Sequence, residues 1–270
     1  TEPAAAPHRP RRLPPHSMPL RRCKRGTDGQ APEVVPSVLA TDEIVDVAVP
    51  SWTAAASRVR PTLLMGVGGQ GIAVLERLRK ELAASDPRET WRESTTLLYV
   101  DTDRNAIREL KNSNAPVESC VLPLKLPQHY RNRSSGILHW LSRRWFYNIP
   151  RSLETGGFRP LGRLALIDNA DAILTDLQRL LGQLAAADLQ PASTAGDNDR
   201  RLRIVLVAST SGGTGSGTAV DLAWAVRNWA AENDAEIELT GIFGDAYSGG
   251  SDQRDLAQVN TLAFLREFSS

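Results

Sequence analysis

An apolar run that ends in a glycine-rich loop constrains the fold of this chain more than any other stretch. Residues Leu202–Ala208 are mostly apolar, and Ser209–Thr218 consist only of glycine, serine and threonine. Apolar residues then recur at three- and four-residue spacing from Ala219 to Trp229, which indicates a helix. The pattern predicts a buried strand, a tight loop and the N-terminus of a helix.

Such a loop is suited to binding phosphate. Glycines let backbone N–H groups approach an anion because no Cβ stands in the way. The free N–H groups of the first helical turn and the positive end of the helix dipole point to the same place. A linker of this composition would not be flanked by a strand and an amphipathic helix, and the Gly-Lys-Ser/Thr ending of a Walker A motif is missing. We therefore expect phosphate contacts from Ser211, Gly212, Gly213, Thr214, Gly215, Ser216 and Gly217.

A second glycine loop stands about 140 residues earlier in the chain. Thr62–Val67 reads as a short apolar strand, and the pattern of an amphipathic helix starts near Ile72. Gly66, Gly68 and Gly71 satisfy the G-x-G-x-x-G fingerprint of dinucleotide-binding proteins, between a strand and a helix as that motif requires. A Rossmann-type dehydrogenase is therefore one hypothesis, although such a domain has no need of a second phosphate loop.

Two acids follow another predicted strand. Thr95–Val100 is β-branched and apolar, and Asp101 and Asp103 come directly after it. Carboxylates at the C-terminal end of a parallel strand reach the ligand crevice of an α/β sheet. The alternative is structural, because Asp103 is also well placed to cap a helix that starts near Asn105.

Bulk properties exclude several classes of protein. The 270 residues carry 32 Lys and Arg against 31 Asp and Glu, so net charge gives no reason to expect a specific nucleic-acid partner. Two cysteines are too few for a disulfide scaffold, which favours the reducing cytoplasm. No apolar run reaches the roughly 18 residues that a membrane helix needs, and the N-terminus lacks the apolar core of a signal peptide.

The composition divides the chain into a tail and a globular domain. The first 40 residues contain eight prolines and seven Lys or Arg against three acids, which predicts disorder. We assign residues 1–57 to this basic, proline-rich tail and its lead-in, and residues 58–270 to the domain. A basic tail can contact lipid or nucleic acid, or it can simply be solvated.

Residues 127–158 interleave aromatic and basic side chains. This composition fits either a nucleic-acid surface or, because Ile137, Leu141 and Trp145 follow helical spacing, an amphipathic helix packed on the domain. His129 and His139 lack further ligands at metal-binding spacing, so no protein metal site is predicted.

The heptapeptide Ser211–Gly217 resembles the glycine-rich phosphate loop of the tubulin/FtsZ family at every position. Three other segments support this resemblance: the first glycine loop, the Asp-Thr-Asp sequence and a Gly-rich stretch at 156–163 that resembles the family's third loop, near the γ-phosphate. Gly-Gly-Gln-Gly and Arg-Pro-Leu-Gly-Arg depart from FtsZ, so the chain looks nearest to divergent bacterial tubulin-like proteins. The further nucleotide-binding residues that the resemblance implies are Gly68, Gly69, Gln70, Gly71, Asp101, Asp103, Gly157, Arg163 and Arg254. Arg163 can equally be a solvated residue of a first helical turn.

The resemblance implies an α/β fold, a doubly wound, Rossmann-like parallel sheet of the tubulin/FtsZ GTPase-domain type. It implies GTP or GDP with Mg²⁺ as ligands, and filaments in which a neighbouring protomer supplies the acids that activate water. Those acids belong to a C-terminal half of the family's proteins that has no counterpart here, so no catalytic residue is assigned to this chain. Relative to FtsZ, residues 127–158 look like an insertion, where we expect a protein partner.

The sequence is compatible with three alternative functions. The first is a tubulin-like, polymer-forming GTPase, of which this chain by itself binds nucleotide but hydrolyses it poorly. The second is a Rossmann-type NAD(P)-dependent oxidoreductase, in which Asp101 would bind the ribose. The third is a non-catalytic scaffold with a structural nucleotide.

Overall fold

The computed structural model describes residues 60–112, 117–132, 134–188, 201–245 and 250–269. All of them belong to one unit, Ala54–Ser270. The tail predicted for residues 1–57 lies outside the described residues.

A parallel sheet forms the centre of the domain. Its five strands lie in the order β3-β2-β1-β4-β5, and every neighbouring pair is parallel. This confirms the doubly wound α/β sheet expected from the alternation of apolar runs and helical patterns. The strands are β1 (Thr62–Val67), β2 (Thr95–Asp101), β3 (Glu118–Val121), β4 (Leu202–Ser209) and β5 (Ile237–Gly244).

Nine α-helices accompany the sheet within the described residues. The long ones carry apolar positions at helical spacing, while those between β3 and α6 are a turn or two in length. Their bounds are α1 (Gly68–Ser85), α2 (Arg104–Asn112), α3 (Pro127–Asn132), α4 (Ser134–Ile137), α5 (Arg144–Tyr147), α6 (Arg159–Asp168), α7 (Ala170–Asp188), α8 (Gly213–Glu232) and α9 (Ser251–Phe268). Among the described helices, none is long and apolar enough to cross a membrane.

The two faces of the sheet pack into separate cores because side chains alternate along each strand. On β2, Leu97 and Tyr99 join a small core with Ile72 and Leu75 of α1. The intervening Leu98 and Val100 belong to a larger core that α6, α7 and α8 complete. Helices thus cover both faces of the central strands, as a parallel sheet requires, whereas the edge strand β5 is partly exposed.

Two predicted helices are broken in the structure. The helix expected through Ile137 and Trp145 is interrupted at residues 138–143, where Leu141 enters the core. The apolar pattern that starts near Leu164 forms two helices, α6 and α7. They separate at Asn169, whose side-chain amide donates to the carbonyl of Ala165 at 2.7 Å, in addition to the backbone N–H of the same residue at 3.2 Å.

Candidate functional site

The candidate site is a cleft of about 380 Å³ at the C-terminal ends of β1, β2 and β4. Parallel strands end at the same edge of a sheet, so the loops that follow them meet there. The cleft is lined by Val67, Gly68, Gly69, Gln70, Asp101, Thr102, Asp103, Glu154, Thr155, Gly156, Gly157, Ser209, Gly212, Gly213, Thr214 and Gly215. Ten of the sixteen residues predicted to bind nucleotide are in this set.

The N-terminus of α8 forms one wall of the cleft. The helix starts at Gly213, directly after β4 and a short bend. A Cβ on Gly213 would lie 2.5 Å from the Thr155 Oγ1 atom and 2.8 Å from the Gly157 carbonyl carbon. Only glycine therefore lets the third loop, Glu154–Gly157, pack against the first turn of α8. The unpaired N–H groups of that turn are available to an anion.

The N-terminus of α1 forms the adjacent wall. Gly68 opens the helix with a φ of +73°, a conformation that favours glycine. Gly69 and Gln70 follow it at the cleft. Gly71 does not line the cleft, because its Cα faces β4, where a Cβ would overlap the Val207 carbonyl. The cleft thus receives the positive ends of two long helices.

The two acids of the Asp-Thr-Asp sequence both line the cleft, and Asp103 also has the structural role considered for it. Asp103 caps α2, since its Oδ1 accepts from the backbone N–H groups of Asn105 at 2.8 Å and Ala106 at 3.1 Å, and it also lines the cleft. Asp101 is 5% exposed, and its Oδ1 accepts from the Thr102 N–H at 2.6 Å. Burial raises the pKa of Asp101, against the opposing effect of hydrogen bonds from Thr102 and Thr214.

Three buried threonines join the loops at the base of the cleft. The Thr102 and Thr214 hydroxyls lie 3.0 Å apart, and those of Thr155 and Thr214 lie 3.4 Å apart. Thr102 and Thr155 were not predicted as site residues. Hydroxyl residues are common in loops, and only the fold shows that these two meet Thr214.

The charged side chains that line the cleft are all carboxylates, those of Asp101, Asp103 and Glu154. The pKa of Glu154 is raised, first by burial and then by the negative charges of Asp103 and Asp101. Across the described residues, no group of three or more His, Cys, Asp or Glu is arranged to hold a metal ion by itself.

Helix α9 contributes a residue that sequence reasoning passed over. Asn260 is 3% exposed, and its Nδ2 atom donates to the Gly157 carbonyl and to the Ser211 carbonyl, both at 2.8 Å. One side chain thus connects the third loop to the loop that precedes α8. No local sequence signal marks it, because a single Asn in an amphipathic helix has no distinctive pattern.

Three residues of the heptapeptide have structural contacts instead of lining the cleft. The Ser211 hydroxyl lies 2.8 Å from that of Ser209, and the Ser216 hydroxyl bonds the Gly212 carbonyl one turn earlier. Gly217 faces α6, where a Cβ would lie 2.5 Å from the Arg159 carbonyl oxygen.

The structure does not bring the two predicted arginines to the cleft. Arg163 lies on α6 and pairs with Asp221 at 3.0 Å and with Glu267 at 2.9 Å. These acids on α8 and α9 hold its guanidinium away from the cleft. Arg254 is exposed in the first turn of α9 and does not line the cleft.

Comparison with known proteins identifies the family. The family model described as "Tubulin like" matches residues 63–270. The chain belongs to the tubulin-like family. A search of curated proteins found no match.

Two solved structures are similar in fold. One is CetZ2 from Haloferax volcanii, described as a GTPγS-bound protofilament. It is 22% identical to this chain with a TM-score of 0.43, and the match covers 76% of this chain and 45% of the CetZ2 chain. The other is CetZ from Methanosaeta thermophila, which is 18% identical with a TM-score of 0.45. The match covers 77% of this chain and 42% of the CetZ chain. This tubulin-like chain therefore spans less than half the length of either protein.

Proposed function

We propose that the chain is the nucleotide-binding part of a tubulin-like GTPase, and that its cleft binds GTP or GDP together with Mg²⁺. The observation that carries the proposal is the convergence of two helix N-termini, α1 and α8, on one cleft at the edge of a parallel sheet. Phosphate groups are the common ligands of such an arrangement. Membership of the tubulin-like family makes a guanine nucleotide the first choice.

The charges of the cleft explain why a cation belongs to the proposal. A nucleotide would bring several negative charges to a site already lined by Asp101, Asp103 and Glu154, with no Lys or Arg among its lining residues. Mg²⁺ binds through one or two carboxylates together with phosphate oxygens. Asp101 and Asp103 are the residues that would hold it, directly or through water, and the ion would neutralise phosphate charge.

We further propose that hydrolysis depends on assembly. The described residues would hold the phosphates through backbone N–H groups and hydroxyls, which position the nucleotide and stabilise charge. The acids that orient the attacking water would come from a second protomer, as the resemblance to tubulin and FtsZ implies. The 270-residue chain should then bind nucleotide with little turnover.

The test is equilibrium binding of labelled GTP, ATP and NAD to the full chain, with Mg²⁺ or with EDTA. Gly69→Asp is the informative variant, because its Cβ has open space with Asp101 Oδ2 as nearest atom at 4.0 Å. It adds a negative charge to the phosphate site without a steric clash. Gly182→Asp is the matched control, on an exposed face of α7 with nothing within 4 Å.

We expect Mg²⁺-dependent GTP binding that Gly69→Asp weakens at least tenfold and Gly182→Asp leaves unchanged. A preference for NAD would instead support the oxidoreductase hypothesis, for which the G-x-G-x-x-G loop and the strand order are the specific observations. GTP binding without turnover in filaments would support the scaffold hypothesis.

We also propose that residues 127–158 bind an acidic partner protein. Arg131, Arg143 and Arg151 are exposed here and have no ion pair within the described part of the chain. The tryptophans are already engaged, since the Arg163 guanidinium lies 5.9 Å from the Trp140 ring and that of Arg144 lies 5.5 Å from the Trp145 ring. The surface therefore offers guanidinium groups that can pair with carboxylates, and Tyr147 is its most exposed Tyr, Trp or Phe ring.

A further inference from the structure

The amide of Asn260 is placed to control the geometry of the phosphate site. A side-chain amide carries two N–H donors, and here both acceptors are backbone carbonyls, those of Gly157 and Ser211, each at 2.8 Å. The two carbonyls belong to different loops that enter the cleft from different parts of the chain. Asn260 is the described side chain that bonds both loops at once.

The two loops are in contact where Asn260 holds them. The Cα of Gly213 packs so closely on Gly157 and Thr155 that a Cβ would overlap both. At such a contact, a displacement of a few tenths of an ångström redirects the backbone N–H groups of both loops. An anion bound between Gly157 and the first turn of α8 would respond to that change.

Other contacts already secure α9 to the domain. Phe264 packs against Phe243 with ring centroids 4.9 Å apart, and Glu267 pairs with Arg159 and Arg163. Thr261 adds hydrogen bonds of 3.1 Å to Thr210 and Asp245. The helix therefore has several contacts besides Asn260 that hold its position. Between the third loop and α8, the hydroxyl contact of Thr155 with Thr214 at 3.4 Å accompanies the hydrogen bonds of Asn260.

We infer that Asn260 is a positioning residue that fixes the third loop against the N-terminus of α8, so that together they bind the terminal phosphate of a nucleoside triphosphate. This inference rests on the proposed function and adds a source of selectivity to it. We call the two hydrogen bonds of Asn260, to Gly157 and Ser211, the Asn260 bridge. A diphosphate held by α1 and α8 alone would depend less on this bridge than a triphosphate whose terminal phosphate reaches the third loop.

The experiment compares the dissociation constants of GDP and GTPγS for the full chain and for Asn260→Ala. Asn169→Ala is the matched control, because Asn169 Nδ2 also donates to two carbonyls, of Pro123 at 3.1 Å and Ala165 at 2.7 Å, away from the cleft. Asn260→Ala should reduce the preference for GTPγS over GDP about tenfold, the effect of losing two hydrogen bonds. Asn169→Ala should leave that preference unchanged although it destabilises the fold. An equal loss of both nucleotides in Asn260→Ala would overturn the inference, because general destabilisation acts on both.

Hydrogen exchange tests the Asn260 bridge without any nucleotide. In the ligand-free chain, Asn260→Ala should speed the exchange of amides at 156–158 and 211–213 about tenfold relative to Asn169→Ala. Unchanged exchange in both segments would refute the role of the Asn260 bridge in holding the two loops, whatever the ligand is. If the unmodified chain binds neither nucleotide, the proposed function fails, and faster exchange would still show that Asn260 couples the two loops.

Discussion

Replacing Gly162 by alanine should destabilise the domain, although alanine favours helices. Gly162 lies where α6 crosses α8, and a Cβ there would overlap the Gly213 carbonyl and approach Thr214 Cα to 3.3 Å. Both obstacles are backbone atoms, so no side chain can rotate out of the way. Forcing a methyl group into packed backbone costs about 1–3 kcal/mol or more, against a gain in helix propensity of up to about 1 kcal/mol. Because the overlap with the Gly213 carbonyl is severe, we take the upper end of the cost, about 3 kcal/mol, and expect a net loss of about 2 kcal/mol.

Gly182→Ala provides the opposite case within the same domain. Gly182 lies in α7, and no atom lies within 4 Å of the position that a Cβ would occupy, so only helix propensity changes. That variant should gain about 0.5–1 kcal/mol. At about 2–4 °C per kcal/mol for a domain of this size, thermal unfolding should show Tm falling by about 4–8 °C in Gly162→Ala and rising by about 1–4 °C in Gly182→Ala.

The melting curves can refute the reasoning directly. If Gly162→Ala melts at or above the temperature of the unmodified chain, the helices do not depend on close backbone contact. Because the displaced atom belongs to the first residue of α8, Gly162→Ala should also weaken nucleotide binding, while Gly182→Ala should not. A stability loss without any effect on binding would show that the contact between α6 and α8 does not influence nucleotide binding at the phosphate site.

Two further predictions follow from charge. Burial raises the pKa of Asp101 in the folded chain above 3.8. Ionisation of this carboxyl therefore lowers the free energy of unfolding as the pH rises above the unfolded-state pKa. The full loss is present once the pH exceeds the folded-state pKa. Asp101→Asn should therefore stabilise the ligand-free chain at pH 7, and this gain in the free energy of unfolding should shrink as the pH falls towards about 4. Urea unfolding at several pH values measures the gain. A gain that grows on acidification would contradict the prediction. At the basic surface, Arg131→Glu with Arg143→Glu should abolish salt-sensitive binding of a hexaglutamate peptide in fluorescence anisotropy, whereas Arg77→Glu with Lys80→Glu on α1 should not. Equal losses in both pairs would show that net charge alone attracts the peptide.

Local patterns predicted the strands and the loops of the cleft. The strand expected at Thr62–Val67 is observed with those bounds, and the run expected at Ser119–Leu124 forms β3, which begins one residue earlier and ends three residues earlier. Strand periodicity and glycine content are properties of neighbouring residues, and parallel strands bring their C-terminal loops together without further information. The position of the cleft could therefore be predicted from the sequence.

Contacts between distant residues could not be predicted in this way. Asn260 lies 103 residues from Gly157 and 49 from Ser211 in the chain. Arg163 looked like a phosphate ligand because a Gly-Arg pair opens a helix, yet Asp221 and Glu267, 58 and 104 residues away, hold its guanidinium. Which acid reaches an arginine depends on how α6, α8 and α9 cross, and no single-sequence pattern encodes that crossing.

A cleft lined by carboxylates has a consequence for what the site recognises. If a cation raises the affinity for nucleotide, thermodynamic reciprocity requires the nucleotide to raise the affinity for the cation by the same factor. Neither would then bind well alone, and the metal–nucleotide complex would behave as a single ligand. Occupancy would follow the concentration of that complex, so uncomplexed nucleotide would be a poor competitor even in large excess.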